Sequence, residues 1–217
     1  NPEHQTLYQG NRFSVVRQPK YSHKHEHSID MALFLNGLPI VTIELKNSLT
    51  GQTLENAEKQ YKHDRLPNGE PLLAFKRCLV HFAVGNEQAS MTTHLQGEQT
   101  RFFPFNKDSE NPVNPNGHKT HYLWEDIWQA DTLLELIHNY LHVQQISERS
   151  YDPGAGSVIE KITEAFIFPR YHQLDVVRHI LKLVQADGVG KNYLVQHSAG
   201  SGKSNSIAWL AHQLASF

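Results

Sequence analysis

Two runs dominated by apolar residues, "IDMALFL" and "PIVTIEL", meet at Asn36-Gly37-Leu38, and Asn-Gly between such runs is a strong short-range hairpin signal. Similar β-type runs recur from about residue 13 to residue 105: "RFSVVRQ", "CLVHFAVG", "ASMTTHL" and "TRFFPF". One helical pattern interrupts them, "TLENAEKQYKHDR", with Leu54, Ala57 and Tyr61 at helical spacing on one face. A loop rich in turn-formers, "NPVNPNGHKT", then leads to a predicted helix, "YLWEDIWQADTLLELIHNYLHV". The glycine-rich stretch "SYDPGAGS" reads as a break, which places a domain boundary near 147–158 and divides the chain into 1–150 and 151–217. Beyond it the pattern predicts a helix ("QLDVVRHILKLVQ"), a short strand ("YLVQ") and a loop opening a final helix. One strand with its helix cannot bury both faces of a parallel sheet, so the second region is expected to be the truncated start of a larger α/β unit.

Charges interrupt the hairpin in a way that invites chemistry. With a three-residue loop, opposed residues have numbers summing to 74: Leu35 faces Pro39, Ala32 faces Thr42, and Asp30 faces Glu44. Alternation then puts Ile29, Met31, Leu33, Leu35, Val41, Ile43 and Leu45 on a wholly apolar face, expected to be core. Asp30, Ala32, Phe34, Ile40, Thr42, Glu44 and Lys46 share the other. Two opposed carboxylates, with Cβ atoms about 5 Å apart, repel one another. A hard divalent cation makes such a pair favourable, since Mg²⁺ takes one or two carboxylates and keeps several waters. Lys46, two residues past Glu44, points at the same spot, where an ammonium offsets charge building on a phosphate under attack. These are minimal parts for metal-dependent phosphodiester hydrolysis; a salt-bridged, solvated face would use the same residues. A change of one residue in the loop would move Asp30 to the opposite face.

Composition narrows the setting. The chain has 217 residues, 39% of them hydrophobic and 19% charged, with a formal net charge of −2. That balance excludes neither nucleic acid nor protein partners, because a local basic groove can sit on a neutral whole. The single cysteine, Cys78, cannot form an internal disulfide and is expected to be a buried strand thiol in a reducing, cytoplasmic setting. The N-terminus lacks a basic-then-apolar signal pattern. The longest apolar stretch, "MALFLNGLPIVTIEL", falls short of the roughly 20 residues that span a bilayer. The expectation is a soluble protein with no membrane contact.

The most specific motif lies near the end, in "NYLVQHSAGSGKSNSIAWL". Gly200-Ser201-Gly202-Lys203-Ser204, between a β-type run and a helical pattern, has the parts of a phosphate-binding loop. Glycines let successive N–H groups face a phosphate at a helix N-terminus, Lys203 would reach the β- and γ-phosphates, and Ser204 would ligate Mg²⁺. The first position of the pattern usually holds glycine and here holds His197. Upstream, "FPRYHQLDVV" places Arg170 and Gln173 before a helix, and a glutamine amide can donate and accept in one plane, as reading an adenine edge requires.

Together, "IDMALFLNGLPIVTIELKN", "LVHFAVGNEQASMTTHLQGEQTRFFPFN" and "IFPRYHQLDVVRHI…YLVQHSAGSGKSNSIAWLAHQLA" resemble the restriction (R) subunit of type I restriction–modification enzymes over nearly the whole chain. The resemblance implies an α/β fold: a PD-(D/E)xK nuclease-like mixed sheet with flanking helices, then the start of a RecA-like parallel α/β motor of helicase superfamily 2. It implies that Asp30 and Glu44 bind Mg²⁺, that Lys46 completes the nuclease site, that Arg170 and Gln173 contact adenine, and that Gly200 to Ser204 bind ATP. It further implies double-stranded DNA as substrate, ATP-driven translocation, and partnership with methyltransferase and specificity subunits, S-adenosylmethionine acting only through the methyltransferase. The family's nucleases often carry Gln-x-x-x-Tyr on the following helix; here Gln60 is followed by Tyr61, and the expected tyrosine position holds Asp64. Gln60 is expected to line the site. An acidic residue from a helix before the first strand has only Glu3 as candidate, which predicts that this helix is missing from the N-terminus.

Three further features have blander readings. His23, His25 and His27 in "HKHEH" could hold zinc if extended, but read better as an exposed polar segment. Lys59, Lys62 and Arg65 at helical spacing would touch DNA phosphates or form a solvated face. Trp124 and Trp128 are expected in a helix core rather than stacked on bases. Two rival functions share the pattern: an ATP-driven DNA motor whose N-terminal domain only docks partner subunits, and a non-catalytic assembly module.

Overall fold

A computed structural model of the chain describes residues 2–152, 154 and 156–215. Six strands form one sheet in sequence order: β1 (Phe13–Arg17), β2 (Met31–Leu35), β3 (Leu38–Leu45), β4 (Val80–Val84), β5 (Ala89–Thr92) and β6 (Phe103–Pro104). All neighbours are antiparallel except β3 and β4, which run parallel. A parallel pair requires a crossover, and α2 (Leu54–His63) supplies it. A mixed α/β architecture is therefore established. The helix expected to be missing before the first strand is present at least as α1 (Pro2–Gln9), which carries an exposed Glu3.

The β2–β3 turn differs from the three-residue loop expected. Leu35 pairs with Leu38, leaving only Asn36 (φ 53°) and Gly37 (φ 82°), a two-residue turn with both residues left-handed. Phe34 pairs with Pro39 and Leu33 with Val41, so Ile40 is one extra residue on β3. This bulge sits next to a proline that has no N–H to give the ladder. Past the bulge the pairing is the predicted one, Ala32 with Thr42 and Met31 with Ile43.

At the centre of the sheet, β3 and β4 are covered on both faces. On one side Leu33, Val41, Ile43, Val80 and Phe82 join Phe105 in a large cluster. On the other, Ile29, Ala57, Tyr61, Leu73 and Ala83 form a smaller one under α2. Two residues assigned to the apolar core face depart from it. Ile29 packs into the α2 cluster, since β2 begins only at Met31 and alternation does not reach it, and Leu45 is 40% exposed. Cys78 is buried just ahead of β4, where burial pushes its thiol up to about 12.

The long helix expected over 122–143 is divided. A π-helical turn covers Leu123–Ile127, α3 covers Ala130–Asn139, and His142 already begins a strand. Trp128 meets Phe82 edge-on at 5.6 Å, whereas Trp124 is 41% exposed rather than core. The stretch 150–157, expected as an interdomain break, lies within a hairpin of β7 (His142–Asp152) and β8 (Ser157–Ile167), paired from His142↔Ile167 to Asp152↔Ser157. Glycine at the tip reverses a strand here rather than loosening a linker. The hairpin exposes Tyr151, Val158 and Ile162.

Two helices follow, α4 (Tyr171–Asp187) and α5 (Lys203–Leu214). Their Leu174, Val177 and Trp209 join the large sheet cluster, and Arg178 reaches Glu135 (Nε to Oε1, 3.0 Å) and Asp126 (3.3 Å). The strand expected at "YLVQ" is absent: residues 193–196 pair with no strand among the described residues, and Leu194 is 95% exposed. No helix among the described residues is long and apolar enough to cross a membrane.

Candidate functional site

Asp30 stands just before β2, next to the Met31↔Ile43 pair, and is near enough to Glu44 for its charge to act on that carboxyl. Asp30 is fixed by an Oδ2 that accepts the Leu45 backbone N–H at 2.8 Å. Glu44 sits in the middle of the sheet, opposite Ala83 of β4, with no solvent exposure. Its Oε1 accepts Arg65 Nε–H at 2.8 Å, and its Oε2, equally buried, has no hydrogen-bond partner. Burial, and next the charge of Asp30, push the Glu44 carboxyl up to about 8, with Arg65 opposing the shift. Lys46 extends the β3–β4 ladder through its N–H to Val84 O at 2.8 Å, and alternation places its half-buried side chain on the Glu44 side of the strand.

The helix α2 covers this face. Tyr61 is buried and its hydroxyl meets Thr42 Oγ1 at 2.9 Å, which in turn meets His81 Nδ1 at 2.6 Å. Burial pushes His81 down to about 3, so this chain of polar contacts is uncharged near neutral pH. Gln60 carries a buried Oε1 without a partner. Asp64, at the position expected for tyrosine, is the exposed C-cap of α2, and its carbonyl accepts the Tyr21 hydroxyl.

Arg65 lies beyond the helix end and is buried, rather than forming part of a solvated basic face. Lys59 remains exposed, and Lys62 lies 5.9 Å from the Phe102 ring centre. Nothing in the local pattern marked Arg65 as the partner of Glu44: it follows the helix, precedes Leu66-Pro67, and shares no period with β3. His25 and His27 lie 4.2 Å apart and His25 Nε2 is 3.8 Å from Glu70, in a bent, partly exposed segment. Among the described residues, no group of three or more His, Cys, Asp or Glu side chains is arranged to hold a metal. Asp30 and Glu44 are a pair. The Asp30 carboxylate and the orphaned Glu44 Oε2 are hard oxygen donors of the kind Mg²⁺ takes, with waters to complete its shell.

The second group of predicted residues assembles elsewhere. Gly200 (φ 73°) and Gly202 (φ 83°) turn the chain into α5, which starts at Lys203. Lys203 Nζ folds back on the carbonyls of Ser198 (2.8 Å) and His197 (3.3 Å). Ser201 is buried and Ser204 exposed. Gln173 ties this loop to α4: its Oε1 accepts the Arg170 N–H at 2.9 Å and its Nε2 donates to Gly202 O at 2.8 Å. Gln173 itself is buried, with both ends of its amide engaged. The Arg170 guanidinium stacks 4.6 Å from the Phe103 ring centre.

Residues 1–100 match a family model described as "Type I restriction enzyme R protein N terminus (HSDR_N)". Those residues hold the whole Asp30–Glu44–Lys46–Gln60 group. This region is thus similar to the N-terminal part of type I restriction R proteins. Curated relatives extend the likeness. The type I restriction enzyme SauCOLORF180P endonuclease subunit of Staphylococcus aureus (strain COL) is 26% identical over 197 residues, 89% of this chain and 18% of its own length. The putative type I restriction enzyme MjaVIIIP endonuclease subunit of Methanocaldococcus jannaschii is 26% identical over 209 residues, 93% of this chain and 18% of its own length. The chain thus spans less than a fifth of these R-type relatives. No solved structure matches it.

The perturbed Glu44 carboxyl has a thermodynamic signature. Glu44 binds its proton more tightly folded than unfolded, so without divalent metal the chain loses stability as pH rises from about 4.5 to about 8, and changes little from this group outside that window. Glu44→Gln removes the titration. Thermal melts at pH 5, 6.5 and 8 in chelator are expected to show the variant gaining on the wild type as pH rises; parallel curves would place the proton elsewhere.

Proposed function

We propose that this chain is the Mg²⁺-dependent DNA-cleaving region of a type I restriction R subunit, followed by the opening of its ATP-driven translocating motor. The reading is carried by one observation: Asp30 is near enough to Glu44 to act on its carboxyl, and the buried Glu44 Oε2 accepts no hydrogen bond. A buried acceptor left unpaired is costly in a structural element, and a ligand role accounts for it. Asp30 and Glu44 would hold the metal, Arg65 would compensate one of their two charges, and Gln60 would border the site. Lys46 supplies an ammonium that offsets charge on the attacked phosphate of double-stranded DNA. The chemistry that Mg²⁺ would supply if held by Asp30 and Glu44 is Lewis-acid polarisation of the phosphate and activation of water near neutral pH.

For the motor, the reading rests on the loop 200–204 at the start of α5. Its backbone N–H groups and Lys203 would receive ATP phosphates, Ser204 the accompanying Mg²⁺, and Arg170 and Gln173 the adenine. Methyltransferase and specificity subunits are the proposed partners, and S-adenosylmethionine acts only through the former. Lys46→Ala is expected to lower DNA cleavage by the assembled complex by about 10²–10³-fold, the scale of losing one preorganised charge contact. Mg²⁺ binding and ATP hydrolysis stay at wild-type levels. Normal cutting by this variant removes Lys46 from the site.

The exposed Tyr151, Val158 and Ile162 of the β7–β8 hairpin favour a second reading, a module that docks partner subunits without cutting DNA. Substituting these three by serine separates the two. Docking lost with nicking by the free subunit intact assigns the hairpin to assembly and leaves the nuclease reading in place.

A further inference from the structure

The Arg65–Glu44 contact is built with more precision than charge compensation needs. The guanidinium is held from three directions. Nε donates to Glu44 Oε1 at 2.8 Å, a terminal nitrogen donates to the Ser28 carbonyl at 2.8 Å, and the Tyr21 ring lies 5.7 Å from the guanidinium carbon. Its own backbone is anchored by an N–H to Gln60 O at 3.1 Å. The planar fork therefore bridges two separate chain segments, β3 and the residues leading into β2, that carry Glu44 and Asp30. Both segments are fixed in register with each other, and the guanidinium in turn fixes which oxygen of Glu44 is taken. Oε1 is occupied and Oε2 is the oxygen left free.

We infer that Arg65 is a positioning residue that restricts Glu44 to one-oxygen ligation and so makes the site selective for Mg²⁺ over Ca²⁺. This rests on the two-carboxylate reading above and adds a residue that reading does not need. The chemistry follows from the coordination habits of the two ions. Mg²⁺ requires near-ideal octahedral geometry with short bonds, and a carboxylate giving one oxygen suits it. Ca²⁺ accepts more ligands, longer bonds and two-oxygen carboxylates. With Oε1 held by Arg65, ligation through both oxygens would compete with that hydrogen bond, and Oε2 is the oxygen Glu44 offers at least cost. A lysine at 65 would keep the charge but not the fork: one ammonium lacks the rigid pair of donors that reaches Glu44 and Ser28 at once.

The test is calorimetric titration of the R subunit with MgCl₂ and with CaCl₂, for wild type, Arg65→Lys, Arg65→Met and Asp30→Asn, each checked for folding by circular dichroism. Both Arg65 variants are expected to lose about 10–100-fold in Mg²⁺ affinity, the scale typical of removing a residue that orients a metal ligand. Ca²⁺ affinity is expected to hold within about threefold or to rise, because Glu44 can then ligate through both oxygens. Should Arg65→Met fail to fold, Arg65→Lys alone decides. Full recovery of Mg²⁺ preference by lysine, or equal loss for both ions, overturns the proposal and leaves the nuclease reading standing. Wild type that binds neither ion, or binding untouched by Asp30→Asn, brings down the two-carboxylate reading and this proposal with it.

Discussion

Asp30→Asn is expected to abolish measurable DNA cleavage, by about 10³-fold or more. That is the effect of losing several kcal/mol of metal-supplied stabilisation at 1.36 kcal/mol per decade of rate. The substitution is chosen because it is nearly isosteric. An amide oxygen at this position can still accept the Leu45 N–H that Asp30 accepts at 2.8 Å, so the edge of the β2–β3 pair stays closed. What changes is charge: the site falls from two carboxylates to one, and Glu44 loses the neighbour whose charge contributes to its raised pKa. Mg²⁺ binding should weaken in step with cleavage, whereas ATP hydrolysis by the assembled complex should be untouched, because the loop 200–204 is tied to α4 through Gln173 and shares no hydrogen bond with Asp30. Cleavage at wild-type rate would remove Asp30 from the chemistry.

Phe82→Ala is expected to destabilise the protein by about 3–5 kcal/mol, the usual range for deleting a fully buried ring from a core. Phe82 shows no solvent exposure and touches Phe105 (5.1 Å between ring centres), Trp128 (5.6 Å) and Phe168 (6.2 Å). Phe168 opens the path to α4 and α5, whose Leu174, Val177 and Trp209 belong to the same cluster. The loss therefore reaches both halves of the chain. At about 2–4 °C per kcal/mol for a protein of this size, the melting temperature should fall by about 6–20 °C. Trp209 fluorescence, in a variant lacking the other tryptophans, should fall in the same transition as far-ultraviolet circular dichroism. Two separated transitions would show that 151–217 folds independently of the sheet.

The strands and helices whose signals are local were legible in the sequence. Asn36-Gly37 announced the β2–β3 turn, and the spacing of Ala57 and Tyr61 announced the face of α2. The pairs Ala32–Thr42 and Met31–Ile43 were legible for a reason partly fortuitous: the loop is one residue shorter than expected, and the extra Ile40 restores the count. What escaped depends on contacts distant in sequence. Arg65 reaches Glu44 across 21 positions, the uncharged chain from Tyr61 through Thr42 to His81 joins three elements, and neither leaves a periodic trace. The long helix read over 122–143 failed where tertiary pairing overrode a helical pattern, His142 leaving it to pair with Ile167. The same ladder turned a glycine-rich stretch from a supposed linker into a hairpin tip.

Ile40 carries a consequence out of proportion to its chemistry. Opposed residues of an antiparallel pair project to the same side, so whatever lies past the bulge inherits its side from that single surplus amino acid. Drawing Ile40 into the ladder opposite Leu33, with no residue altered and the Asn-Gly reversal intact, would shift every later pair by one, set Met31 against Thr42, and turn Glu44 to the opposite surface of the sheet. Whether this region can seat an ion is thus decided by a hydrocarbon side chain that never touches it.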